Sequence, residues 1–117
     1  MRAEEEATLG ALNQLSTDDL YALVGDAAGI LGFDDDDGAP PKQRGQRILS
    51  RLRAKLAKVL CKDAGFCRLI TESHTKTPLE LAAIAADVLL HCDAFIGFPI
   101  FALALLVVRE FLENLCV

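Results

Sequence analysis

From residue 94 to residue 108 the chain carries no charged side chain, and from Ile100 through Val108 it is apolar all the way round a helical wheel. A helix without a polar face has to be surrounded, by other helices, by lipid or by a partner. A membrane span needs about twenty such residues. This run is shorter, is interrupted near its start by Gly97 and Pro99, and is bounded by Asp93 on one side and Arg109 and Glu110 on the other. It therefore predicts a central helix, Ile100 to Leu115, around which the rest of the chain is wrapped.

The remaining segments supply helices with one apolar face each. Ala3 to Leu15 reads as a short helix whose first-turn acids complement the positive end of its dipole. Ser16 and Thr17 interrupt it and can cap a second helix, Asp18 to about Leu31, with a buried stripe of Leu20, Leu23, Val24, Ala27, Ala28 and Leu31. Gly25, Gly29 and Gly32 weaken that helix by up to ~1 kcal/mol each, a cost that a closely packed neighbour would offset. Residues 33–41 hold four consecutive aspartates followed by Gly38-Ala39-Pro40-Pro41, which cannot continue a helix. This acidic loop separates the second helix from a third, Lys42 to Lys62, whose Ile48, Leu49, Leu52, Leu56, Val59 and Leu60 share one face. Asp63-Ala64-Gly65 ends it, residues 66–72 suit a helical turn, and residues 73–77 form a polar connector. Thr77-Pro78-Leu79-Glu80 then combines an N-cap threonine, a proline at the first helical position and a glutamate at N3. The fourth helix runs from there to about His91, and a turn rich in Phe and Gly leads into the fifth.

With 117 residues, 52% of them apolar, no Trp and no strand-like alternation, the chain is expected to form a single all-α domain over residues 1–117. The architecture is a compact five- to six-helix bundle with the apolar C-terminal helix in its core. Leu81, Ile84, Ala85, Val88 and Leu89 should pack on Leu103, Leu106, Val107 and Phe111.

Charge is segregated along the chain. Residues 1–41 hold one base and ten acids, residues 42–62 hold eight bases and no acid, and residues 63–117 hold three bases and seven acids; −9, +8 and −4 sum to the net −5. In the third helix Arg44, Arg47, Arg51, Lys55, Lys58 and Lys62 recur every three or four residues, within roughly 80° of arc at 100° per residue. That row is centred about 120° from the apolar face, by the same geometry. Such a row can steer an acidic protein partner, contact phosphates, or be a solvated face balanced by the protein's own acids. No aromatic residue interleaves with it and no recognition motif surrounds it, which argues against nucleic acid. The apolar face opposite is needed for the core, which argues against a membrane surface.

Sites of chemistry are hard to build from these residues. Placing Gly38 at the sixth position of a calcium loop puts Phe33 first and Arg44 twelfth, where oxygen ligands belong. Cys61, Cys67, His74, His91 and Cys92 do not form the closely spaced ligand pairs of a zinc site. Cys67, His74 and Glu72 have the residue types of a thiol catalyst but no motif around them, and no glycine-rich phosphate loop is present. The N-terminus lacks the apolar segment of a secretory signal. A cytoplasmic location and four reduced cysteines (Cys61, Cys67, Cys92, Cys116) are therefore expected. The resulting expectation is a non-catalytic helical interaction module, an adaptor or small regulatory subunit, that binds itself or a larger protein through the basic row. It uses no cofactor, no metal and no small-molecule substrate. The alternatives are a nucleic-acid-binding regulator working through the third helix, and a small thiol-dependent enzyme.

Overall fold

The computed structural model describes residues 3–31, 40–63, 66–68, 77–95 and 97–111. Five helices account for most of them: α1 (Ala3–Leu12), α2 (Thr17–Leu31), α3 (Pro41–Leu60), α4 (Pro78–Leu90) and α5 (Ile100–Leu106), the last continuing as a wider π-helical turn over Val107–Phe111. A helical turn at residues 66–68 and a 3-10 turn at Asp93–Phe95 complete the described structure, which contains no strand. The radius of gyration is 13.6 Å, close to the roughly 13 Å of a compact chain of this length. The all-α bundle expected from periodicity is the fold. Most of the acidic loop, residues 69–76 with Glu72 and His74, and the end of the fifth helix with Cys116 lie outside the described residues.

Helix starts follow the local chemistry. The Ser16 hydroxyl accepts from the Asp19 N–H at 3.1 Å, and the Thr77 hydroxyl accepts from the Glu80 N–H at 3.1 Å. Each occupies one of the donors left unpaired in a first helical turn. Pro78 follows Thr77 at the first helical position, and Pro41 opens α3 in the same way, since a missing N–H costs nothing there. Gly97, at φ 91°, provides the left-handed residue that turns the chain toward Pro99 and α5.

Helix α5 is the centre of the bundle. Ala102 to Val107 are each at most 1% exposed and Val108 is 9% exposed; α1, α2 and α4 all pack on this segment. Leu81, Ala85 and Leu89 of α4 are buried, Ile84 and Val88 are half-buried against the same cluster, and Ala82 and Ala86 add small residues to the buried side. Leu9 from α1, Leu20 and Val24 from α2, and Ile48, Leu49, Leu56 and Leu60 from α3 join one contiguous core. Burying one such aliphatic side chain contributes about 1.5–3 kcal/mol. No described helix is long and apolar enough to cross a membrane.

The most extensive helix pairing, α2 with α3, brings backbone against backbone at two glycines. A Cβ on Gly45 would overlap the Tyr21 carbonyl, and one on Gly25 would overlap the Pro41 carbonyl and approach the Gly45 nitrogen at 2.9 Å. Both glycines are buried. The crossing also corrects the expected stripe of α2. Because α3 lies over the Tyr21–Gly25 side, the buried set is Leu20, Tyr21, Val24 and Gly25, and Leu23 is left 36% exposed. The side chains of Ala28 and Leu31 lie outside the description.

Two further features depart from the sequence reading. In the sequence Arg109 only bounds the apolar run of the central helix. Its guanidinium reaches back to the α1–α2 joint, donating to the carbonyls of Leu15 and Asn13 at 3.0 Å each and to Thr17 Oγ1 at 3.3 Å. A helix end exposes carbonyls without partners and a negative dipole end, and a cation satisfies both. The expectation of four free thiols also fails. Cys67 and Cys92 are free, but Cys61 is disulfide-bonded, a pairing that linear spacing cannot announce because it depends on where distant segments meet.

Candidate interaction surface

Helix α3 carries the basic row because its sequence divides cleanly in two. Ile48, Leu49, Leu56 and Leu60 point into the core with Leu52 and Val59 at the border, so residues on the opposite arc face solvent. Arg47, Arg51, Lys55, Lys58 and Lys62 are exposed. Lys62 lies just past the helix end, in the turn that follows Leu60.

The row is not uniform along its length. At the start of α3, Lys42 pairs with Asp18 of α2 at 3.2 Å and Arg44 with Asp26 at 3.6 Å. The Arg44 side chain is only 21% exposed, so this residue belongs to the α2–α3 contact and not to the open face expected for it. Arg47 and Arg51, though exposed, also have interaction partners. Arg53, outside the row, lies over the Phe111 ring at 5.0 Å, a cation–π contact that ties α3 to the end of the central helix. Lys55, Lys58 and Lys62 form no ion pair with another described residue. The outward-facing charge is thus concentrated in the second half of the helix.

Among the described residues there is no buried charged or polar side chain and no group of three His, Cys, Asp or Glu residues placed to hold a metal. The Cys67 thiol donates to the Cys61 carbonyl at 2.8 Å; Glu72 and His74, its suggested partners in catalysis, lie outside the described residues. His91 is exposed, with Nδ1 2.7 Å from the Asp87 carbonyl oxygen at the end of α4.

Shallow hollows lined by described residues mark the surface at two places. One, of about 230 Å³, is lined by Leu89, Leu90, Cys92, Phe95, Phe98 and Ile100 together with Gly97, and Leu90 beside it is 42% exposed. The other, of about 190 Å³, lies between α1 and α4, with Leu9, Leu79 and Ala83 as its floor and Glu6 and Glu80 at its edge. Sequence reasoning identified neither. Glu6 and Glu80 are 74 residues apart in the chain (80 − 6), and each reads locally as a first-turn acid.

Tyr21 is the one described group whose titration is clearly displaced. Burial pushes its phenol above the ordinary value of 10.0, and the negative charge of Glu110 adds to the shift. Both effects disfavour the phenolate. Comparison with protein-family models, with curated proteins and with solved structures finds no match for this chain.

Proposed function

We propose that this chain is a non-catalytic interaction module, an adaptor or small regulatory subunit, whose contact surface is the exposed basic face of α3 and whose partner presents an acidic protein surface. The observation that carries the reading is the second half of that helix. Lys55, Lys58 and Lys62 are exposed, form no ion pair with another described residue, and stand in a 21-residue stretch, 42–62, without a single acid. In a chain of net charge −5 this face is the exception, and a localised positive surface accelerates encounter with a negative one.

A protein partner is favoured over nucleic acid by two features. No aromatic side chain is interspersed along the row to stack on bases, and the acids of α1 and α2 would oppose a long polyanion. A cytoplasmic location belongs to the same reading. The bridge at Cys61 bears on it directly, because reducing compartments keep structural disulfides open. Thiol trapping in intact cells before lysis would decide it, since a protected Cys61 would place the protein elsewhere.

The test uses the full chain as bait in extracts of its native host, with the mass of each captured complex measured. Lys55→Glu/Lys58→Glu should lose the partner mainly through slower association, with unchanged thermal stability. A partner held equally well by the reversed protein would sink the assignment to α3. Duplex DNA or RNA bound at low salt, and lost both in the reversal and steeply with added salt, would transfer the surface to phosphate recognition.

A further inference from the structure

We infer that the acid-edged hollow between α1 and α4 is a docking site for the basic face of α3 on a second copy of this chain. The inference rests on the proposal that α3 is the contact face, and it names one occupant of that face.

Two independent observations meet here. The first is the hollow itself: an apolar floor of Leu9, Leu79 and Ala83 with the exposed side chains of Glu6 and Glu80 beside it, about 190 Å³ in volume. The dipoles of α1 and α4 explain why each helix begins with an acid. They do not explain why the two acids line one apolar depression. A lysine suits such a place. Its aliphatic stem covers apolar surface while its ammonium reaches the rim, and two carboxylates are there to receive it. An arginine would fit by the same logic.

The second observation is where cations are on offer. Lys55 and Lys58, one turn apart on α3, are exposed and form no ion pair with another described residue. Within its own molecule α3 packs chiefly on α2 and to a lesser extent on α4, whereas α1 packs on α4 and α5. Donor surface and acceptor surface are therefore different parts of the protein, and each is complementary in charge to the other. Such a contact either repeats head to tail or occurs twice about a twofold axis. Attraction between exposed charges also makes it salt-sensitive.

The experiment is sedimentation equilibrium of the full chain at low and high salt, on the wild type and on two charge-reversed variants. All four substituted positions are exposed, and circular dichroism verifies that each variant is folded. Wild type should self-associate at low salt and dissociate as salt rises. Lys55→Glu/Lys58→Glu and Glu6→Lys/Glu80→Lys should each weaken self-association at least about tenfold, as loss of close charge pairs does. An equimolar mixture of the two variants should recover it, because the reversed hollow now faces the reversed helix. A wild type that is monomeric at low salt, an association indifferent to either reversal, or a mixture that stays dissociated would each overturn the inference. The Glu6→Lys/Glu80→Lys protein keeps α3 intact. If it captures an acidic host protein while the wild type stays monomeric at low salt, the second copy is wrong and the basic-face reading stands.

Discussion

The crossing of α2 over α3 and the seat of α5 solve the same problem in opposite ways. At the crossing, side chains are removed so that backbones can touch: Gly25 and Gly45 leave no room for a Cβ beside the carbonyls of Pro41 and Tyr21. Around α5, side chains are supplied on every side, with seven consecutive residues from Ala102 to Val108 buried. The first interface fails when an atom is added, and the second when atoms are taken away. Ion pairs accompany the first, where Lys42–Asp18 and Arg44–Asp26 lie near the glycine contact.

The largest expected effect is therefore at Gly45. Gly45→Ala places a methyl against the Tyr21 carbonyl, and backbone cannot swing aside as a flexible side chain can. The loss should be about 4 kcal/mol or more, in the exceptional range for a single substitution. Gly10 is the control: nothing lies within 4 Å of its would-be Cβ, and Gly10→Ala in α1 should stabilise by up to ~1 kcal/mol through helix propensity. Denaturant unfolding of both variants measures the contrast. Equal effects would mean that the helices can separate at no cost, and the crossing would lose its claim to be a backbone contact.

Truncation should dominate at the other interface. Leu106 is fully buried, and Leu106→Ala should cost about 2–5 kcal/mol, the spread reflecting how far the cavity can relax. A loss below ~0.5 kcal/mol, typical of surface positions, would show that the central helix is not central.

Between these lies Arg109, which joins the end of α5 to the α1–α2 joint. Arg109→Met keeps much of the aliphatic stem but removes every donor, leaving the carbonyls of Asn13 and Leu15 without their 3.0 Å partners. A loss of about 2–3 kcal/mol is expected for hydrogen bonds made by a charged group. Hydrogen exchange should also accelerate selectively around residues 13–17. Global destabilisation without that local signature would reduce Arg109 to an ordinary packing residue.

How far the fold was legible follows the same division. Features decided by neighbours in sequence were readable: the Thr77–Glu80 cap, the apolar faces of α3 and α4, and the burial of a helix with no polar side. Features decided by the approach of distant segments were not. Gly45 sits among polar and charged residues and looks like a surface position until α2 is laid across it. Leu23 fits the helical stripe of α2, but the crossing rotates the buried arc toward Tyr21. Arg109 finds its partners 94 and 96 residues away, and the bridge at Cys61 has no local signal at all. The basic row was legible as a row because its spacing is local. That Arg44 is drawn into the α2–α3 contact while Lys55 and Lys58 stay open required the position of Asp26. The acid-edged hollow required the meeting of α1 and α4.

The smallest effect is at Tyr21, and it probes the crossing without altering a residue. Its phenol is held above its ordinary pKa by burial first and by Glu110 second. As pH rises past 10, the unfolded chain releases its tyrosine proton before the folded one does. The folded state then binds more protons than the unfolded, and stability must decline with rising pH. Below that range the group is neutral in both states and contributes no pH dependence. The observation is unusually clean because the chain has one tyrosine and no tryptophan, so tyrosinate absorbance reports this site alone. Spectrophotometric titration should give a higher midpoint in native protein than in denaturant. Glu110→Gln should lower the native midpoint by only part of the difference, since desolvation at the crossing is the larger cause. If Glu110→Gln removed the whole difference, the tyrosine would be responding to charge alone, and the α2–α3 contact would have to be wetter than two buried glycines in backbone contact allow.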